Sequence, residues 1–317
     1  MYSIVIPIYN EQETLPEIYR RLKAVIDTLD APSEIIFIDD GSSDQSSGII
    51  NEIHKSDSRI KLIRFSRNFG HQVAISAGID FASGEVVILM DGDLQDPPEV
   101  IPNFIQKWRE GFNVVFAIRT KRKENIFKRF AYFVFYRLLR KLSYLDIPLD
   151  AGDFCLMDRN VVKALKNLPE RHRFVRGLRT WVGFKQVGLS YERDQRFAGK
   201  PKYTLAKLFG LAYDGLFAFS TTPLKLAVTI GFIFTIISLL GGLTIIYRKL
   251  VHDFDLIGWA SIIVTLTFLG GLTLLILGII GEYIGRIYDE VKHRPLYIIK
   301  DQIGFNNIES EIKNNNL

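Results

Sequence analysis

Short apolar runs alternate with segments of helical periodicity along the first part of the chain. The runs are SIVIPI, EIIFID, IKLIRF, EVVILM and NVVFAI, and most are rich in β-branched residues. Strands that alternate with helices predict βα units, which build a mostly parallel sheet with helices on both faces. Ligands of such α/β sheets bind outside the carboxyl ends of the strands, so polar residues at those ends are the candidates for chemistry.

Two long uncharged stretches follow in the last part of the chain. No charged residue lies between Lys225 and Arg248, or between Asp255 and Glu282. Each stretch exceeds the roughly 20 apolar residues that cross a hydrocarbon core of about 30 Å. Two buried helices of a large soluble core are the alternative, but apolar residues lie on every side of both stretches. We therefore predict a hairpin of transmembrane helices within residues 223–282, at about 226–247 and 257–281.

The basic residues near these spans predict their orientation, because cytoplasmic flanks carry the excess of Lys and Arg. Five basic residues lie outside the pair of spans: Lys207, Lys225, Arg286, Lys292 and Arg294. The loop that connects the spans carries two, Arg248 and Lys249. Both termini are therefore expected in the cytoplasm. Gly231 and the glycine pairs at 241–242 and 270–271 allow close helix approach, within the hairpin or between protomers of a homo-oligomer.

Further segments outside the spans also bear on the membrane. Residues 125–143 place basic side chains opposite aromatic and leucine side chains, which predicts an amphipathic helix in the membrane interface. An ordinary surface helix with a charged face is the alternative. A juxtamembrane helix is expected at 203–222, with a break at Pro223. These bounds leave 1–202 as a cytoplasmic domain and 283–317 as a cytoplasmic tail, polar and disordered after Lys300.

Composition narrows the class of protein. The single cysteine, Cys155, excludes an intramolecular disulfide, and the five scattered histidines give no zinc-ligand pattern. The net charge of +5 suits nucleic acid, anionic lipid or a phosphorylated substrate. The basic residues concentrate around the membrane segments, which favours lipid and not nucleic acid. The N-terminus has no basic region before its first strand, so no cleavable signal peptide is expected.

Carboxylates follow the fourth apolar run, in EVVILMDGDLQDPPE. Asp91 and Asp93 flank a glycine at the exit of the predicted strand, and Gln95 comes two residues later. Two carboxylates at alternate positions of an extended chain project toward one side, where oxygen ligands suit a hard divalent cation such as Mg²⁺ or Mn²⁺. An Asp-x-Asp pair is a weak signal alone, and its place at a strand exit strengthens it.

Two earlier strand exits carry matching polar residues. Asp39 and Asp40 precede a GSSD turn and provide acceptors for base and ribose donors, although such a turn is equally typical of a solvated loop. After the first strand, Asn10 is a candidate N-cap for a helix over 11–29, with Glu13 at the capping-box position.

At these residues the chain resembles family 2 glycosyltransferases with the GT-A fold. The resemblance rests on PIYNE, IDDGSSD, the NFG at 68–70 and MDGDLQDPPE. Within the family the chain is similar to the polyprenyl-phosphate branch, which includes dolichol-phosphate mannose synthase and bacterial enzymes that make undecaprenyl-phosphate glucose. The hairpin and GEYIGRIYDEVKHRPLYIIK resemble the bacterial glucosyl subgroup, so the likeness extends to about Lys300.

The resemblance implies a role for each candidate site residue. Base and ribose contacts of the donor fall on Pro7, Tyr9, Glu11, Asp39 and Asp40. The Mg²⁺ or Mn²⁺ ligands fall on Asp91, Asp93 and Gln95. The lipid phosphate falls on Arg119, Arg196 and Lys202, with Pro201 replacing the family's usual serine beside the last of these. The catalytic set is Asp91, Asp93, Arg196 and Asp153, which matches an acidic position near the acceptor.

The implied reaction is a single inverting displacement. It transfers a hexose from a nucleotide sugar to undecaprenyl phosphate. UDP-glucose is the first expected donor, GDP-mannose the second, and UDP-linked amino sugars the third. The expected location is the cytoplasmic face of the bacterial inner membrane, where the product serves cell-envelope glycosylation and a flippase acts downstream. A processive polysaccharide synthase is an alternative, but GLRTW at 177–181 lacks the glutamine of the Gln-x-x-Arg-Trp motif. A non-catalytic membrane nucleotide sensor is disfavoured by the intact acidic site.

Overall fold

Each apolar run predicted as a strand forms one in the computed structural model, which describes residues 1–119, 151–171, 173–192, 221–252 and 258–305. These strands are β1 (Tyr2–Ile8), β2 (Ser33–Asp39), β3 (Ile60–Phe65), β4 (Val86–Leu89) and β5 (Val114–Arg119). The chain divides into two units, one of residues 1–140, 145–208 and 294–317, and one of residues 141–144 and 209–293.

Three strands that the sequence analysis did not predict complete the sheet of the first unit. They are β6 (Ala151–Asp158), β7 (Gln186–Tyr191) and β8 (Ile299–Ile303). The strand order is β7-β5-β6-β4-β1-β2-β3-β8. Strands β6 and β8 run antiparallel to their neighbours, while β1 to β5 and β7 share one direction. The expectation of a mostly parallel sheet is confirmed.

Helices cover both faces of this sheet, as predicted. Those described in the first unit are α1 (Leu15–Ile26), α2 (Ser46–Ser56), α3 (His71–Phe81), α4 (Ile101–Arg109), α5 (Arg159–Lys166) and α6 (Val175–Trp181). Alternate β1 residues point to opposite faces. Ile4 and Ile6 share a buried cluster with Leu15 of α1, whereas Val5 on the other face meets α3 at Gly78.

Strand β8 corrects the expected C-terminal tail. Residues after Lys300 were expected to be disordered, yet β8 runs to Ile303 and pairs antiparallel with β3, with Arg64 opposite Asp301. Backbone hydrogen bonds to the edge of β3 stabilise this polar segment although it carries few apolar side chains. The predicted boundary of the cytoplasmic domain at residue 202 is therefore incomplete, because residues 299–303 belong to the same sheet.

The second unit contains α7 (Thr222–His252) and α8 (Trp259–Val291). Both are long and apolar enough to cross a membrane, with mean hydropathies of 2.3 over Thr222–Ile245 and 2.5 over Ser261–Val291. Only 6% of the most apolar stretch of α7 and 0% of that of α8 is buried, so these side chains do not lie in the core of a soluble domain. Helix α8 runs to Val291, past the predicted end at 281.

Other membrane-related predictions have mixed outcomes. The glycines at 231, 241–242 and 270–271 face open space in the described part of a single chain, so they do not mediate close packing there. The interfacial helix at 125–143 and the juxtamembrane segment up to residue 220 lie outside the described residues.

We expect Gly78→Ala to destabilise the protein, because an added Cβ would lie 2.0 Å from Cγ1 of Val5. Overpacking of this kind costs about 1–3 kcal/mol, or a Tm loss of about 2–4 °C per kcal/mol in a domain of this size. Gly48→Ala in α2 is the matched control, since its Cβ meets only a glutamine side-chain oxygen at 3.4 Å. Thermal unfolding should show a lower Tm for the first and an equal or higher Tm for the second. Equal Tm values for both variants would contradict the tight α3–β1 packing.

Candidate functional site

Three strand exits meet at one edge of the sheet, because β1 lies between β2 and β4 in parallel register. Ile8 pairs with Asp39 at the ends of β1 and β2, and Val5 pairs with Leu89 at the end of β4. The residues that follow these strands, Tyr9, Asp40 and Asp91, therefore lie around one edge. This is the location that the sequence predicted for ligand binding.

The loop after β1 is joined to the turn after β2, and this corrects the capping prediction. Helix α1 begins at Leu15 with Thr14 at its N-cap position, so neither Asn10 nor Glu13 caps it. Asn10 has φ of 52°, and its Oδ1 accepts a hydrogen bond from the Ser43 backbone N–H at 2.9 Å. Its side chain thus orders the two loops against each other instead of starting a helix.

The carboxylates of the DDGSS turn are buried and hydrogen-bonded, so the solvated-loop alternative is wrong. Asp39 is 0% exposed and accepts hydrogen bonds from the Ser42 backbone N–H at 2.8 Å and from the Ser47 hydroxyl. Asp40 accepts from the backbone N–H groups of Phe69 and Gly70 at 2.7 and 3.0 Å. Burial raises the pKa of Asp40, and these N–H groups oppose the rise.

The loop carrying Asp91 and Asp93 packs tightly against β1. A Cβ on Gly92 would lie 3.0 Å from the Pro7 carbonyl oxygen, so glycine allows the loop to approach the strand. The Thr14 hydroxyl lies within 3.2 Å of both the Gly92 carbonyl and a Glu11 carboxylate oxygen. Two of the predicted donor-binding residues, Pro7 and Glu11, are thereby placed beside the predicted metal loop.

A histidine bridges two of the predicted catalytic carboxylates. His71, the first residue of α3, has its Nε2 3.4 Å from Asp91 Oδ1 and 3.5 Å from Asp153 Oδ2. Arg176 of α6 binds the same Asp153 carboxylate through Nε at 2.8 Å and Nη2 at 3.0 Å. Gln72 donates to Asp153 Oδ2 at 3.3 Å, and its own Oε1 accepts from the Val175 backbone N–H. We call these five residues, His71, Gln72, Asp91, Asp153 and Arg176, the His71 cluster.

The charges of the His71 cluster stabilise one another. Burial alone would raise the pKa of Asp153, but Arg176 and His71 outweigh burial and hold it well below its usual range. Burial alone would lower the pKa of His71, but Asp153 and Asp91 outweigh it and raise the pKa to about 9. Without a bound cation, Asp153 is therefore ionised and His71 protonated at neutral pH.

The oxygen donors at the β4 exit fit a hard divalent cation. Asp93 is 9% exposed, and its Oδ1 accepts from the Gln95 backbone N–H at 3.1 Å, which orients the carboxylate. Within the described residues no cluster of three His, Cys, Asp or Glu forms a complete cation site. Asp91 and Asp93, together with Gln95, would hold a cation whose remaining ligands are oxygens from another source, such as a diphosphate.

A family model for Glycosyl transferase family 2 matches residues 3–166, which include β1 to β6 and both acidic loops. The chain belongs to glycosyltransferase family 2. The whole chain also has curated relatives. The uncharacterized glycosyltransferase YkcC of Bacillus subtilis is 50% identical, over 96% of this chain and 95% of the relative. A bactoprenol glucosyl transferase of Shigella phage SfV is 43% identical, over 95% of this chain and 98% of the relative.

Solved structures are also similar to this family 2 chain. One is glucosyl-3-phosphoglycerate synthase from Mycobacterium tuberculosis, crystallised with Mn²⁺, UDP-glucose and phosphoglyceric acid. Its TM-score is 0.45 at 21% identity, over 68% of this chain and 77% of that chain. The GT-A-like α/β fold expected from the resemblance is confirmed by the family match and the sheet described above.

Of the three predicted lipid-phosphate residues, the described part of the chain includes one. Arg119 is the last residue of β5, where its backbone pairs with Tyr191 of β7. Arg196 and Lys202 lie outside the described residues. Their assignment stays a prediction.

Sequence analysis missed His71, Gln72 and Arg176. A signal for the first two existed, because they directly follow the NFG segment and begin a helix after the exit of β3. No comparable signal marked Arg176, which reaches Asp153 from a short helix in the segment RFVRGLRTW. Thr14 was also missed, since its role depends on contact with Gly92, distant in sequence.

We expect His71→Gln to lower the Tm of metal-free protein more at pH 6 than at pH 9.5. The pKa of His71 rises from 6.5 to about 9 on folding, so its charge stabilises the fold below about pH 6.5. That contribution is lost as the pH rises through about 9. The side chain is 34% exposed, so solvent screening reduces the effect to about 1 kcal/mol, or about 2–4 °C.

The measurement is thermal unfolding of both proteins in detergent and excess EDTA at the two pH values. Comparing the Tm difference between variant and wild type removes the pH dependence of all other groups. A Tm difference that is the same at both pH values would show that His71 is not held charged by Asp91 and Asp153.

Proposed function

We propose that this protein transfers a hexose from a nucleoside diphosphate sugar to a polyprenyl phosphate at the cytoplasmic face of a bacterial membrane. The first candidate donor is UDP-glucose. The observation that carries the proposal is the similarity to a bactoprenol glucosyl transferase over 95% of this chain, including both the acidic site and the two apolar helices. A polyprenyl chain stays in the bilayer, so a membrane-bound enzyme is what this acceptor requires.

The donor binds across the exits of β1, β2 and β4. Tyr9, 39% exposed, offers an aromatic face to the base. Glu11, Asp39 and Asp40 provide acceptors for base and ribose, while Pro7 shapes the floor of the site. Asp91 and Asp93, with Gln95, would hold a Mg²⁺ or Mn²⁺ ion, which when bound neutralises charge on the leaving nucleoside diphosphate.

The transfer is a single displacement at the anomeric carbon. A phosphate oxygen of the acceptor forms the new bond to this carbon as the bond to the diphosphate breaks, so the configuration inverts. The acceptor is already ionised at pH 7, since the second pKa of a phosphate monoester is about 6, and no strong base is needed. Asp153 fits this requirement, because the low pKa imposed by Arg176 and His71 makes it a poor proton acceptor and a good fixed charge.

Cationic side chains must bring two anionic substrates together. We assign the acceptor phosphate to Arg119, Arg196 and Lys202, of which Arg196 acts directly on the reacting phosphate. Planar guanidinium groups suit this role because they bind phosphate through two parallel hydrogen bonds.

The position of β8 supports a topology in which both termini are cytoplasmic. The chain leaves the first unit before α7 and returns to its sheet as β8 after α8. A strand can pair with β3 only if the chain crosses the membrane an even number of times between them. Two crossings satisfy this condition, and they agree with the distribution of Lys and Arg around the spans.

The function can be tested with membranes that contain the full-length protein, undecaprenyl phosphate and a panel of labelled UDP- and GDP-sugars. We expect glucose from UDP-glucose to enter the extracted lipid. Asp91→Asn should lower this transfer at least about 100-fold, because it weakens one of few protein ligands for the diphosphate-bound cation. Excess EDTA should have the same effect on wild type.

Glu85→Gln is the matched control, since Glu85 is an exposed acid at the opposite end of β4. This variant should transfer glucose at the wild-type rate. Mannose incorporation from GDP-mannose would support the second donor instead. No lipid-linked product from any donor would overturn the proposed function, and wild-type transfer in excess EDTA would overturn the metal assignment alone.

We also expect Tyr9→Ala to raise the donor KM severalfold while kcat changes less than twofold. A base contact lies far from the reacting carbon and stabilises ground state and transition state alike. Tyr9 suits this test better than Asp39, because its side chain is 39% exposed, whereas Asp39 is 0% exposed and accepts hydrogen bonds that hold the turn after β2. Steady-state kinetics with UDP-glucose at saturating lipid provides both constants. A large loss of kcat with unchanged KM would place Tyr9 at the reacting centre instead.

A further inference from the structure

The C-terminal segment of residues 297–305 packs against the elements that support the donor site. It contains Tyr297, strand β8 and Phe305. In β8, Asp301 lies opposite Arg64 of β3, and the Ser66 backbone N–H donates to the Ile298 carbonyl at 2.9 Å. These contacts extend beyond β3 into the loop at 66–70 that leads to His71.

Tyr297 is the main side chain of this segment in the interior. It is 3% exposed, its ring stacks on Phe65 with centroids 5.1 Å apart, and its hydroxyl donates to Asp80 of α3 at 3.2 Å. Phe65 in turn packs edge-to-face on Phe69 at 5.7 Å. A continuous aromatic column therefore runs from Tyr297 through Phe65 to Phe69.

The end of this column is the backbone that binds Asp40. The Phe69 N–H donates to Asp40 Oδ1 at 2.7 Å, and the next residue, Gly70, donates to the same carboxylate. Because Asp40 is buried, its orientation depends on these two N–H groups. The position of Tyr297 is thus linked to that of Asp40 by two ring contacts and one peptide.

A second link reaches Asp39. The Arg64 guanidinium lies between two carboxylates, with Nε 3.6 Å from Asp39 Oδ2 and Nη1 3.8 Å from Asp301 Oδ2. One residue of β8 therefore shares a cation with the buried carboxylate at the end of β2. Both members of the Asp39–Asp40 pair are in this way supported by the C-terminal segment.

We propose that Tyr297 is a positioning residue of the donor nucleotide site, because its ring supports Phe65 and Phe69 and thereby the N–H groups that bind Asp40. The proposal rests on the proposed function, in which Asp39 and Asp40 bind the nucleoside. A structural role alone would make the segment a cover for the β3 edge, and its loss would reduce the amount of folded enzyme. Positioning predicts instead a specific loss of donor affinity.

The test compares Tyr297→Leu with Phe305→Leu in the full-length enzyme. The first variant keeps an apolar side chain but loses the ring that supports Phe65. The second loses an aromatic contact of similar kind elsewhere in the same segment, since Phe305 packs on Phe81 at 5.4 Å and under Lys61, away from the 66–70 loop. Tyr297→Phe keeps the ring stack and serves as the conservative rescue.

We expect Tyr297→Leu to raise the UDP-glucose KM and the UDP dissociation constant at least fivefold, with kcat at saturating donor within twofold of wild type and the lipid KM unchanged. Phe305→Leu and Tyr297→Phe should leave donor affinity within twofold of wild type. Calorimetric titration with UDP and steady-state kinetics provide these values, and thermal unfolding confirms that each variant is folded.

Two results would overturn the inference while leaving the proposed function intact. One is a Tyr297→Leu enzyme with unchanged donor KM and a reduced kcat, which indicates a smaller folded fraction. The other is a Phe305→Leu enzyme that loses as much donor affinity as Tyr297→Leu. A wild-type enzyme that binds no nucleotide would overturn the proposed function itself, and with it this inference.

Discussion

Parallel pairing of β1 with β2 on one side and with β4 on the other is the constraint on which the site depends. Because the three strands share one direction, their carboxyl ends meet, and side chains far apart in the sequence become neighbours. The close approach of Gly92 to Pro7 then places the Asp91–Asp93 loop directly over β1. A shift in the register of either pair would separate the carboxylates after β2 from the Asp91–Asp93 loop.

The electrostatics of the site follow from this crowding of carboxylates. Several acidic groups at this end of the sheet repel one another, and cationic side chains from β3, α3 and α6 reduce that repulsion. Arg176 and His71 flank Asp153, and Arg64 lies beside Asp39. The consequence is a site in which Asp153 is held in place and its pKa is kept well below its usual range before any substrate arrives. Such preorganised charge favours a reaction whose difficulty lies in holding phosphates together and not in moving a proton.

Sequence patterns predicted the parts of this structure that depend on local residues. Strands β1 to β5 are predominantly apolar runs, and Asp39, Asp40, Asp91 and Asp93 stand at or just after the ends of β2 and β4. Strand β8, with the sequence IKDQI, has too few apolar residues for a pattern to mark it, and pairing with β3 decides its structure. Asn10 looked like a helix cap because local spacing cannot show that its amide instead binds the turn after β2. Arg176 and His71 needed the tertiary fold to bring α6 and α3 to Asp153.

The antiparallel strand β8 also bears on how the protein is made. Its partner β3 is synthesised early, whereas β8 is synthesised after both long apolar helices. At about 5–20 residues per second, the intervening chain takes on the order of tens of seconds to emerge from a ribosome. During that interval the edge of β3 presents unpaired N–H and C=O groups, the feature through which nascent sheets aggregate. Completion of the sheet is thus tied to delivery of the apolar helices, so a chain that stalls before its end is left with an open, adhesive edge.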